Sequence, residues 1–162
     1  MPLDPAREWL AAGITGLQRQ REWDAVATAE LAGIPGDEVE FVALADGTFV
    51  LESEGNADPT PFAEALGDIQ RPFRALAVRR SELWAVGAVS IEVARLEPVP
   101  RGHELELTWD GSRLALTIDD VPAEPSRAEA LQRIAGSRVT GPYAAHAHRL
   151  RDDAWELSVL AL

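Results

Sequence analysis

Arg79-Arg80-Ser81-Glu82-Leu83-Trp84-Ala85-Val86-Gly87-Ala88-Val89-Ser90-Ile91-Glu92-Val93 reads as a tight turn feeding a long strand. From Ala85 to Val93 both alternating faces are largely apolar, with Ala85, Val89, Ile91 and Val93 on one and Val86 and Ala88 on the other. A strand patterned this way is covered on both sides and stands inside a sheet. Two further stretches share the order of two arginines, acidic residues, a tryptophan and an apolar run: Arg19-Gln20-Arg21-Glu22-Trp23-Asp24-Ala25-Val26-Ala27 and Arg149-Leu150-Arg151-Asp152-Asp153-Ala154-Trp155-Glu156-Leu157. These alternate more cleanly, with Trp23, Ala25, Ala27, Ala29 and Leu31 set against Asp24, Thr28 and Glu30, as half-exposed strands do.

Working outward, Trp23 to Leu31, Val39 to Ala45 and Thr48 to Glu54 form a meander, its last turn marked by Asp46-Gly47. Asp-Gly between alternating apolar runs is a strong hairpin signal, because both residues of such a turn take positive φ. Thr60-Pro61 opens a helix that buries Phe62, Leu66 and Ile69, and Phe73 to Arg80 leads into the Trp84 strand, read as continuous to Leu96. The pattern then restarts with His103 to Trp109, the turn Asp110-Gly111, and Ser112 to Ile118. A helix follows with a Ser126-x-x-Glu129 capping box and a stop at Gly136, then a closing hairpin of Pro142 to Leu150 and Trp155 to Leu162. Toward the amino terminus, Asp4-Pro5 caps a first helix that ends at Gly13, and 14–20 reads as a strand.

The two Asp-Gly turns, the pairs Ala65-Leu66 and Ala130-Leu131, and the strand starts Pro72 and Pro142 recur at nearly constant spacing, as landmarks of a duplicated unit do. The expected fold class is therefore α+β, built from tandem helix-plus-four-antiparallel-strand units. Repeat 1 spans about 4–54, repeat 2 about 58–118, and a truncated third copy about 126–162, within a single domain of 1–162. About ten strands and three helices result, as one twisted antiparallel sheet or two half-sheets with helices packed on one side.

A chain of about 150 residues buries roughly 68–70% of its unfolded surface, enough for a core without staples. The sequence has no cysteine, so disulfides, thiolate metal sites and a cysteine nucleophile are excluded. All 15 of its Lys and Arg residues are arginines, which excludes a Schiff-base or phosphate-loop lysine. A formal charge of −12 opposes nucleic acid and anionic membranes as partners. Met1-Pro2-Leu3-Asp4-Pro5 lacks a signal-peptide pattern and no apolar run reaches membrane-spanning length, so the expected location is cytoplasmic.

Comparison of the expected copies singles out the histidines. Leu76 and Val78 align with His146 and His148, and Val39 with His103, so all three histidines replace aliphatic residues of the other copy. Residues i and i+2 of a strand point the same way, and His-x-His offers two imidazoles to one divalent ion such as Zn²⁺. His103, Glu104, Glu106 or Asp152 is the candidate further ligand. Arg79 and Arg80 beside Trp84, with Trp109 and Trp155, form a second candidate set, in which guanidinium groups hold an anion next to an aromatic face. The same arginines also serve folding if they pair across their turns and stack on the tryptophans. Asp119-Asp120 and Asp152-Asp153 read as turn residues rather than as a Mg²⁺ or Ca²⁺ site.

No G-x-S-x-G, G-x-G-x-x-G or Walker motif is present. The expectation is a non-catalytic binding or protein-interaction module, with a groove between two repeats for a protein or small-molecule partner and no cofactor. Its rivals are a metal-dependent enzyme or metal-binding protein using the His-x-His strand, and a homodimer joined through the edge strand at Trp155 to Leu162.

Overall fold

The computed structural model describes residues 23–53, 55 and 57–162, and the helix and strand expected over 4–20 lie outside them. The chain divides into two compact units, Met1–Ile91 and Glu92–Leu162. The described residues hold eleven strands in two antiparallel sheets and two α-helices, an α+β architecture.

In the first unit β1 (Ala25–Glu30) precedes the hairpin β2 (Glu38–Ala43) and β3 (Phe49–Leu51). Helix α1 (Thr60–Leu66) follows, then the hairpin β4 (Phe73–Arg80) and β5 (Leu83–Ser90). The sheet order is β1-β5-β4-β2-β3. Phe41, Phe62, Phe73 and Trp84 meet beneath α1, with Phe62 and Trp84 edge-to-face at 5.0 Å. Fully burying such a side chain contributes about 1.5–3 kcal/mol, so this cluster outweighs any surface pairing. The other face of the sheet is buried too, by a cluster of Trp23, Leu76, Ala85 and Val89. β5 is thus covered on both sides, as its two apolar faces require.

In the second unit β6 (Glu92–Ala94) precedes the hairpin β7 (Glu104–Trp109) and β8 (Leu114–Ile118), to which the short β9 (Val121–Ala123) is added. A 3₁₀ turn (Pro125–Ala128) leads into α2 (Glu129–Arg138), and β10 (Tyr143–Arg151) and β11 (Ala154–Ala161) close the chain. The order is β6-β11-β10-β7-β8-β9. Leu105, Leu107, Leu131, Ala135, Tyr143 and Trp155 form the core between α2 and one face of the sheet.

Several details differ from the sequence reading, the run of α2 through Gly136 to Arg138 among them. The Trp84 strand ends at Ser90, and β6 pairs with β11 in the other sheet; the two-sided apolar pattern fails where Ser90 and Glu92 flank Ile91. β9 escapes notice because Pro122 interrupts it; it exists because Asp119 (φ 51°) and Asp120 (φ 65°) make a two-residue hairpin turn. In the Asp-Gly turns the glycine alone of the pair takes positive φ, while the aspartate caps the turn with its carboxylate: Asp46 Oδ1 accepts the Thr48 N–H, and Asp110 Oδ1 those of Ser112 and Arg113. The Ser126–Glu129 capping box does not form, because Ser126 lies in the 3₁₀ turn and α2 starts without a side-chain cap.

Candidate functional site

Strand alternation sends Tyr143, Ala145 and Ala147 of β10 into the core and turns His146 and His148 to the helix-free face. On β7 the same alternation buries Leu105 and Leu107 and turns out Glu104 and Glu106. The register sets Glu104 opposite His148 and Glu106 opposite His146. On the far side of β10, Glu156 stands opposite His148 and Ser158 opposite His146. Two imidazoles therefore sit among three carboxylates on three adjacent strands.

Glu104 joins the two histidines. Its Oε2 lies 2.6 Å from His146 Nε2, and its Oε1 hydrogen-bonds His148 Nδ1. The cluster is half-buried, with side-chain exposures of 21% for His146, 25% for His148 and 41% for Glu104. Burial by itself would raise the Glu104 pKa; the hydrogen bonds from His146 and His148, with their charge, outweigh it and bring the carboxyl down to about 2. The backbone beneath is fixed as well. Asp119 Oδ1 accepts the N–H groups of His103 and Glu104, both at 2.9 Å, and the Asp119 N–H donates to the Glu104 carbonyl. These backbone donors hold the Asp119 carboxyl below its usual range. Pairing across adjacent strands, invisible in a single strand's pattern, places Glu104 and Asp119 here.

Of the other candidate ligands, His103 precedes β7 beside Asp119, Glu106 is exposed opposite His146, and Asp152 is exposed in the β10–β11 turn near Arg149. The Glu104 oxygens and the imidazole nitrogens touch one another rather than surround a common point. As they stand, no group of three or more His, Asp or Glu among the described residues is placed to hold a metal ion.

The arginine–tryptophan set is distributed differently. Trp84 and Trp155 are fully buried. The Arg79 guanidinium lies 5.6 Å above the Trp84 ring, and that of Arg149 lies 4.4 Å above Trp155. Each arginine also ties down the loop before the neighbouring hairpin. Arg79 reaches the Ile34 carbonyl and Asp37 Oδ1, and Arg149 the carbonyls of Gly102 (2.9 Å) and Pro100 (2.6 Å). These partners give both guanidinium groups a structural task. Arg80 is exposed at the end of β4.

Trp109 stays partly exposed. With Leu114 and Tyr143 at the end of the sheet, Gln132 and Gly136 of α2, and Val139 and Thr140 beyond it, Trp109 lines an open cleft of about 430 Å³. The Trp109 and Tyr143 rings lie 6.0 Å apart. Burial pushes the Tyr143 hydroxyl up, so it is a neutral phenol at physiological pH.

Among the described residues no helix is long and apolar enough to cross a membrane. Comparison of the chain with protein-family models, curated protein sequences and solved structures returns no match.

Proposed function

We propose that the chain is a non-catalytic binding module in which one structural plan is used twice and the second copy binds its ligand on the helix-free face of its sheet. The plan is an edge strand, a hairpin, a helix and a second hairpin. The strand orders β1-β5-β4-β2-β3 and β6-β11-β10-β7-β8 support it, since each carries the same connections. So do the two arginine clamps. The Arg79 N–H donates to the Asp37 carbonyl as that of Arg149 does to His103, both at 2.8 Å, and their side chains reach Ile34 and Pro100 respectively. On this reading the copies run over about 25–90 and 92–161, a different phase from the helix-first unit, and His103 stands in the place of Asp37 rather than of Val39.

A single contrast carries the functional reading. In the first sheet Glu38 lies opposite Val78 and Glu40 opposite Leu76; in the second, Glu104 lies opposite His148 and Glu106 opposite His146. The glutamates are common to both, whereas an aliphatic pair on a buried face has become an imidazole pair on a half-exposed one. Imidazoles add nothing to packing that leucine and valine lack; they add donor and acceptor atoms on a partly exposed face.

The test is a thermal-shift screen of the whole chain against small cationic and polar metabolites and metal ions, since whatever binds only the folded form raises its melting point. Each hit is then mapped by backbone amide chemical shifts. Hits that displace signals of Glu104, Glu106, His146 and His148 support the reading. A screen without hits, or with hits mapping elsewhere, overturns it.

A further inference from the structure

We infer that His146, His148 and Glu104 bind a divalent transition-metal ion; this rests on the assignment of the helix-free face as the binding face and names its ligand. The donor set carries the inference. Two imidazole nitrogens and a carboxylate from adjacent strands are nitrogen and oxygen ligands typical of Zn²⁺ and its neighbours. His146 Nε2 and His148 Nδ1 converge on the two oxygens of one carboxylate, so the three side chains already face one another. What separates this arrangement from a metal site is spacing. Hydrogen-bonded donors are closer together than ligands around an ion with metal–ligand bonds of about 2.0–2.2 Å, which explains why no group stands ready to hold a metal as the side chains lie.

The required movement is confined to one partly exposed side chain. Glu104 has 41% of its side chain in solvent, and its backbone is anchored by Asp119, so a rotation about its side-chain bonds opens the space without disturbing β7. The proton balance is simple. A neutral imidazole that donates from Nε2 or Nδ1 shifts its proton, through solvent, to the other ring nitrogen, and an imidazolium releases one proton to solvent. Glu106 and Glu156, one on each side of β10, keep the surrounding charge favourable to a cation. Three protein ligands leave the remaining coordination position to water. Asp119 is a positioning residue, holding the Glu104 backbone and touching no metal.

The experiment is a titration of the untagged, chelator-treated full chain with Co²⁺ alone, read by its visible d–d absorption. The expected result is a saturable band at one equivalent that is displaced by Zn²⁺. It is expected to vanish in His146→Leu/His148→Val, which restores the residue pair of the first sheet. In Glu104→Gln, a substitution at a partly exposed side chain outside the core cluster, at least a tenfold weaker affinity is expected, with unchanged far-UV circular dichroism. No band with the wild type, or a band equally strong in both variants, overturns the inference. If Co²⁺ fails while another compound raises the melting point and maps to His146 and His148, the face binds but its ligand is not a metal. If both fail, the binding-face reading falls as well.

Discussion

At Glu104 burial and hydrogen bonding oppose each other, and hydrogen bonding wins. Because the folded-state pKa is depressed from an ordinary 4.5 to about 2, the carboxylate contributes stability that is fully present above 4.5 and is lost as pH falls through 2. Partial exposure keeps the contribution small. Urea denaturation at a series of pH values is expected to show the wild type losing more stability over this window than Glu104→Gln; parallel curves would mean that the imidazoles do not stabilise the carboxylate. The histidines were legible at this scale because a period of two puts residues 146 and 148 on one face whatever the fold. Glu104 was one name among several, since choosing it requires the register of β7 against β10. On the proposed phase His103 corresponds to Asp37 rather than to Val39, because side-chain pattern alone does not fix which backbone carbonyl the arginine N–H finds.

Among the elements, the long alternating strands were legible and the junctions were not. A turn is decided by backbone dihedrals and by side-chain caps that several sequences satisfy, so Asp119-Asp120 made a hairpin without any glycine. The two loop glycines that precede β2 and β7 give a test. Gly36 (φ +82°) has nothing within 4 Å of an added Cβ, whereas at Gly102 (φ +96°) that Cβ would stand 2.3 Å from Ile118 Cγ2 and 3.1 Å from Asp119 Oδ2. Gly36→Ala is expected to cost about 1–2 kcal/mol, from left-handed backbone alone. Gly102→Ala adds displacement of Ile118 and of the Asp119 side chain, and is expected to cost more and to weaken Co²⁺ binding. Equal unfolding free energies for the two variants would contradict this packing. Arginine beside tryptophan suits an anion as well as it suits a clamp, so Trp84 and Trp155 carried both readings in sequence; both rings are fully buried beneath their arginines, as a clamp has them.

For the whole molecule, the recurrence of landmarks was visible in sequence, but it did not say where the proposed unit begins and ends. A chain of alternating hairpins and helices can be divided at any point with equal regularity, and the pairing of β1 with β5 and of β6 with β11 is what the proposed division follows. On the phase proposed above, the helix-free face of the first sheet carries the buried Leu76 beside ion-paired Arg74, Glu40 and Glu52, where the second presents His146 and His148, so the second copy is the one specialised for contact with a ligand. The most direct measurement is thermal melting of metal-free wild type and His146→Leu/His148→Val. If the imidazoles serve binding and the plan itself tolerates aliphatic residues there, the double variant melts within a few degrees of the wild type, short only by the small imidazole–carboxylate contribution at Glu104. A variant that melts well below it would make the histidines part of what holds the second unit together, and would contradict the account.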